Sequence, residues 1–161
     1  MDNYDSGSYS DFWWSNILEG VRFRDQVTTT TDYSTSVANA VSFATTYYET
    51  ITGIIDTGSS CLVLSYYMYE NFIAYLLTYL SSTTMDDNWG NLFNCSEIGN
   101  LPTIDLLLDG VWFEMIVDDY VVNFDGTTCA FCITNSYYAD LAILGDSFMR
   151  NYYFAFDFST Q

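Results

Sequence analysis

A hydrophobic pair, Ile54-Ile55, delivers Asp56 into the short run Thr57-Gly58-Ser59-Ser60. Such a run can end a strand with a carboxylate at its tip, ringed by hydroxyls and backbone N–H groups that fix its orientation. An aspartate held in this way can share a proton with a second carboxylate and activate water. Much later in the chain, Ile143-Leu144-Gly145-Asp146 supplies two apolar residues and a glycine, a segment able to pack tightly beneath that loop. The chain contains no histidine, so histidine triads and zinc sites that need imidazole are excluded. The chemistry falls to carboxylates.

The elements that must carry these residues read mostly as strands. Aromatic and β-branched runs predict strands over 12–24 and 40–48. Ile51 to Ile55 leads into the Asp56 loop and Leu62 to Leu64 leads away from it. Spacing closer to 3.6 predicts a helix around Met68–Leu80. Strands follow at 103–108, 111–117, 120–124 and 129–134, with Asp109-Gly110 and Asp125-Gly126 as turns. A short helix is expected after Gly145, with Asp146 near its start and Arg150 near its end. Tyr153 to Phe158 reads as a final strand. The fold class is therefore mainly β, with one or two short helices. Thr28 to Ser36, of low complexity, reads as a surface loop or hairpin.

Composition narrows the function classes. The 161 residues fit one domain, and half of them are hydrophobic, which places the chain far from the disordered class despite its charge. Net charge is −18 at pH 7, with three arginines and no lysine. Three cations cannot neutralise a phosphate backbone, so nucleic-acid binding is excluded as a role. Repulsion among the carboxylates eases as they protonate, which suits an acidic compartment. No run approaches the length needed to span a bilayer, and the acidic, polar N-terminus is not a signal peptide.

The two motifs together resemble the pepsin-like aspartic peptidases, in which each lobe carries an Asp-Thr-Gly-Ser/Thr loop followed by a hydrophobic-hydrophobic-Gly segment. Other landmarks agree with the C-terminal lobe of that family. Trp13-Trp14-Ser15-Asn16-Ile17-Leu18-Glu19-Gly20-Val21 is similar to its early strand. Cys95, Leu101-Pro102-Thr103-Ile104 and Leu108-Asp109-Gly110-Val111 are similar to its middle, and Ile143-Leu144-Gly145-Asp146-Ser147-Phe148-Met149-Arg150-Asn151-Tyr152-Tyr153 with Phe156-Asp157 to its closing signature. The resemblance implies one lobe of a bilobal acid-protease fold over residues 10–161, preceded by a flexible segment at 1–9. It implies an aspartic endopeptidase in which water is activated between two aspartates, Asp56 being one of them. Thr57 would anchor the loop to its counterpart, Gly58 would admit the substrate backbone, and Ser59 would hydrogen-bond the Asp56 carboxylate. Ile143, Leu144 and Gly145 would brace the loop from below. A peptide or protein would be the substrate, with no cofactor and no metal.

Nothing in the chain resembles the N-terminal lobe, its flap or a propeptide, and residues 159–161 fall short of the family's usual last strand. The second aspartate is thus expected from an N-terminal lobe elsewhere or from a second copy of this chain. The alternatives are a self-associating homodimeric peptidase half, or a catalytically silent lobe acting as a binding or structural module. A secreted, vacuolar or lysosomal setting follows from the acidic, oxidising chemistry.

The resemblance also implies a Cys95–Cys129 disulfide. Cys61 reads as a small buried thiol; Cys132 is open to pairing with it or to replacing Cys129. One Cys-x-x-Cys, Cys129-Ala130-Phe131-Cys132, lacks the second pair that a zinc site needs. Asp109 and Asp125 read as turn residues, Asp146 as a helix-start residue, and Glu70, Asp86 and Asp87 as solvated charge. The tyrosine pairs (47–48, 66–67, 137–138, 152–153) read as packing and strand residues. Asn94-Cys95-Ser96 has the form of a glycosylation sequon, but its central cysteine makes it a poor one.

Overall fold

Two sheets and three short α-helices form in the computed structural model, which describes residues 14–24, 40–42, 51–137 and 141–157, with 40–42 as backbone alone. The expected segment at 1–9, Trp13, the Thr28–Ser36 loop, positions 43–48 of the second expected strand, Tyr138 and residues 158–161 lie outside the described residues.

The larger sheet is built around β1 (Ser15–Arg24). It pairs antiparallel with β2 (Ala40–Ser42), with β3 (Ile51–Ile55) and with β7 (Thr103–Leu108). Its register against β7 shifts between Leu18 and Gly20. That bulge lets Leu18 and Val21, three apart in sequence, enter the same core cluster. β8 (Val111–Met115) adds an edge by a hairpin from β7. On the other side lie β12 (Leu141–Leu144), β4 (Leu62–Ser65) and β11 (Ile133–Ser136), giving the order β11-β4-β12-β3-β1-β7-β8. The smaller sheet runs β5-β6-β10-β9, from β5 (Thr84–Asp86), β6 (Gly90–Asn94), β10 (Thr128–Phe131) and β9 (Val121–Asn123). Helix α1 (Tyr66–Leu77) covers the core with Met68, Phe72, Ile73 and Leu76, one face of a 3.6-residue period. The mainly β class expected from the sequence is what forms.

Two of the chain's three cations are spent inside this sheet. Arg22 Nε donates to Asp105 Oδ2 at 2.6 Å, and Arg24 holds the same carboxylate through two bonds of 2.6 and 2.8 Å while also pairing with Glu114. Arg22 and Asp105 are buried. Trp112 lies under the Arg22 guanidinium at 4.3 Å. A buried charge is tolerable when paired and hydrogen-bonded in this way.

Several elements differ from expectation, each for a local reason. The strand expected at 111–117 stops at Met115, because Asp119 accepts from the Ile116 N–H at 2.7 Å and closes a helical turn, α2 (Val117–Tyr120). The expected 120–124 strand accordingly starts at Val121. The run 129–134 is cut at Cys132, whose N–H bonds Tyr120 O at 2.7 Å and whose C=O accepts from Leu62 N, so β10 and β11 belong to different sheets. α1 ends at Leu77, and residues 78–80 continue only as turns bonded three residues back. A 3₁₀ helix (Cys95–Asn100), β5 and β6 were not anticipated. Asp86 is more than solvated charge: it accepts from Asn88 N and Trp89 N and so shapes the β5–β6 turn. Tyr66 and Tyr67 are exposed at the start of α1 rather than packed in a strand. Residues 153–157 form no strand. They run with Phe154 and Phe156 half-buried and Tyr153, Ala155 and Asp157 exposed, a strand-like alternation that pairs with no strand among the described residues. A strand needs a neighbour to satisfy its backbone, whatever its side-chain pattern.

Candidate active site

Asp56 sits at the head of a loop that must cross another strand. β3 and β4, the arms on either side of residues 56–61, are not neighbours; β12 lies between them, parallel to β3 and antiparallel to β4. The loop therefore passes over the end of β12, where Gly145 follows Leu144. A Cβ on Gly145 would stand 2.6 Å from Cys61 O and closer still to Ser59 O. The backbone there has φ −85°, open to any residue. Close approach, not conformation, requires the glycine.

Four backbone bonds fasten the loop. Ile55 N donates to Trp14 O (2.8 Å) and Asp56 N to Leu144 O (3.2 Å). Beyond the crossing, Asp146 N donates to Ser59 O (2.8 Å) and Ser147 N to Ser60 O (3.0 Å). The last two are among the first amides of α3 (Asp146–Met149), which have no partner within their own helix. The loop carbonyls and the helix start thus satisfy each other. A disulfide from Cys61 to Cys132 secures the loop's exit.

The Asp56 carboxylate is half-buried and held on both oxygens. Gly58 N donates to Oδ1 at 2.9 Å and the Ser59 hydroxyl donates to Oδ2 at 2.7 Å. These two bonds set the plane of the carboxylate before any substrate arrives, the preorganisation that acid–base work needs. A Cβ on Gly58 would crowd Oδ1 at 3.2 Å. Thr57 and Gly58 lie exposed at the crown of the loop.

The structure brings together Asp56, Thr57, Gly58, Ser59, Leu144 and Gly145, and sets Ile143 opposite Ile54 and Val63 in the strand beneath. Cys95 and Cys129 are not part of this cluster; their disulfide joins the 3₁₀ helix to β10 in the smaller sheet. The other acids stand elsewhere. Asp109, at φ 45° with Gly110 at φ 78°, makes the two-residue β7–β8 turn and accepts from Asn16 Nδ2 and Ile17 N. Asp125 accepts from Thr128 N and from the hydroxyl and N–H of Thr127, and these bonds hold its carboxyl down at about 2. Asp146 pairs with Arg150 at 2.9 Å. Among the described residues no second carboxylate hydrogen-bonds Asp56, and no cluster of three metal-binding side chains occurs.

Sequence reasoning left one pairing open at this site and missed one residue. Cys61, read as a small buried thiol, is instead bonded to Cys132, the first of the two pairings left open for Cys132, and so clamps the end of the loop. Asp119 gave no signal at all. Buried on α2, it takes bonds from Ile116 N and from Asn151 Nδ2 just beyond α3, and loss of solvent pushes its carboxyl above the ordinary value. Beside Ile55, an apolar depression of about 260 Å³ opens between Asn16, Leu108, Val111, Phe148 and Phe154.

With this geometry in view, relatives can be compared. The family described as eukaryotic aspartyl protease matches residues 4–161. Gastricsin of Macaca fuscata fuscata is 33% identical over 114 residues, which are 67% of this chain and 28% of the relative. Human gastricsin is 31% identical over 110 residues (65% and 26%), and pepsin B of Canis lupus familiaris 31% over 115 (68% and 28%). The chain thus matches only about a quarter of the length of these relatives. Among solved structures, soybean basic 7S globulin superposes with TM-score 0.61 at 15% identity, covering 84% of this chain and 33% of that one. Aspartic proteinase from Irpex lacteus gives 0.60 at 14%, covering 89% and 39%. These last two establish the fold. A braced Asp-Thr-Gly loop on this fold, matched nearly end to end by the family's sequence pattern, places the chain in the eukaryotic aspartyl protease family.

Proposed function

We propose that this chain is the C-terminal lobe of an aspartic endopeptidase and that Asp56 is its contribution to a catalytic pair of aspartates. The observation that carries the reading is the Asp56 carboxylate, oriented by Gly58 N–H and the Ser59 hydroxyl on a loop braced by Gly145. Two carboxylates about 3 Å apart share one proton, because both cannot ionise together. The ionised member removes a proton from a water lying between them. The protonated member polarises the scissile carbonyl, and the pair then returns a proton to the leaving amine. The titration belongs to the pair. No cofactor is required.

The second aspartate comes from an N-terminal lobe facing the Asp56 loop. Two features support this. Thr57 and Gly58 are exposed, available to a facing loop and to a substrate backbone. Residues 153–157 hold a strand-like alternation beside the apolar depression, which suits the edge of an inter-lobe sheet. The substrate is a polypeptide cleaved at acid pH. The two disulfides fit an oxidising compartment, and a secreted, vacuolar or lysosomal location agrees with the acid chemistry.

The test is cleavage of a denatured protein by the purified chain across about pH 2–7, a span that brackets carboxylate titration, with Asp56→Asn as control. No turnover is expected from the monomer. Acid-dependent turnover that scales with self-association and vanishes in Asp56→Asn would replace the facing lobe by a second copy. Turnover that survives Asp56→Asn would overturn the assignment.

A further inference from the structure

We infer that Asn94 is an acceptor for an N-linked oligosaccharide. Of the chain's asparagines, only Asn94 is followed two positions on by serine or threonine, in Asn94-Cys95-Ser96. The pattern requires only that the middle residue not be proline. Asn94 ends β6 with its side chain outward: Phe93 before it is buried, whereas Asn94 and Ser96 are exposed.

The local geometry gives the capping task to the amide oxygen rather than to the reacting nitrogen. Asn94 caps the 3₁₀ helix through its oxygen, Oδ1 accepting from Ser96 N at 2.9 Å. The sugar would attach to the other atom, Nδ2. In the transfer, the C1–O bond to a lipid pyrophosphate carrier breaks and a C1–Nδ2 bond forms. Nδ2 loses one proton and the lipid pyrophosphate leaves. The amide oxygen remains an acceptor, so the cap survives glycosylation. Asn94 lines an open groove of about 310 Å³ together with Ser82, Thr83, Thr84, Thr127 and Thr128 and the apolar Leu92 and Phe93, with no carboxylate in its lining. Its hydroxyl groups offer hydrogen bonds to a first sugar.

The cysteine at the centre of the sequon bonds to Cys129, 34 residues downstream. During synthesis Asn94 is therefore presented before its neighbour's partner exists. At ~5–20 residues per second that interval is on the order of seconds. Transfer precedes closure of the disulfide, and the exposed Asn94 tolerates the product afterwards.

The chain should be produced through a eukaryotic secretory pathway behind a heterologous leader. Digestion with peptide N-glycosidase is expected to remove one glycan and leave aspartate at position 94, read by peptide mass spectrometry. Ser96→Ala, which keeps the backbone N–H that Asn94 caps, should abolish the mobility shift, and Ser96→Thr should raise occupancy. Absence of glycan from both the native sequence and Ser96→Thr, in chains whose two disulfides have formed, would overturn the inference. So would a glycan that persists in Ser96→Ala or maps to another residue.

Discussion

Replacing Gly145 by alanine tests the crossing on which the Asp56 loop depends. The new Cβ would meet Cys61 O at 2.6 Å, the Ser59 carbonyl carbon at 2.8 Å and Ser59 O closer still. All are backbone atoms, so no side-chain rotation relieves the overlap. Overpacking of this kind typically costs about 1–3 kcal/mol. Lifting the loop also stretches Asp146 N→Ser59 O and Ser147 N→Ser60 O, each worth roughly 0.5–1.5 kcal/mol. The sum is about 2–6 kcal/mol, a large part of a domain's ordinary stability. At a urea slope of about 2 kcal/mol/M, the midpoint should fall by on the order of 1–3 M. Gly99→Ala, with no atom within 4 Å of the added carbon, is the control and should shift the midpoint little. Gly110→Ala should cost about 1–2 kcal/mol from its φ of 78° alone. Urea unfolding of the oxidised protein, followed by tryptophan fluorescence, reads all three. A Gly145→Ala midpoint equal to that of Gly99→Ala would refute the claim that close approach fixes this residue.

Other consequences can be checked on the same protein. Asp105→Ala leaves Arg22 and Arg24 without their shared carboxylate, and chemical denaturation should show a loss of about 3–5 kcal/mol. Cys132→Ser opens a link between residues 71 apart and should cost about 4 kcal/mol on the chain-entropy account, with faster hydrogen exchange at Ser59 and Ser60 than Cys95→Ser produces. Asp119 titrates above its ordinary value when folded, so its contribution is complete below about pH 3.8 and is lost as pH rises through the folded value. Asp125 acts in the opposite sense: held at about 2, its contribution is present above pH 3.8 and fades as pH falls toward 2. Urea midpoints should accordingly be higher at pH 4 than at pH 7, and Asp119→Asn should flatten that slope; an unchanged slope would remove Asp119 from the explanation.

Much of the site was legible because its signals are local. Ile54-Ile55 before Asp56, and Ile143-Leu144 before Gly145, are short apolar runs ending in small or polar residues, and each became a strand feeding a loop. The Asp109-Gly110 turn followed from residues that accept positive φ. What escaped depends on partners far away in sequence. Cys132 breaks an apparently continuous strand because its backbone bonds Tyr120 and Leu62, and Asp119 ends β8 because Ile116 N needs an acceptor there. The 153–157 run shows the reverse failure. Its alternation is real, but it is not a β-strand within the described residues, because alternation alone does not create a ladder.

The most direct test of Asp56 as half of a catalytic pair joins this chain, in place of the matching region of human gastricsin, to the remaining part of that protein. Acid-dependent cleavage of denatured protein is then measured for the native chain and for Asp56→Asn, with intact gastricsin as control. Cleavage that falls by about 10³–10⁴ or more in Asp56→Asn is the expected result. Equal cleavage by both chimeras would contradict it, as would silence from a folded chimera with both disulfides formed while the control remains active.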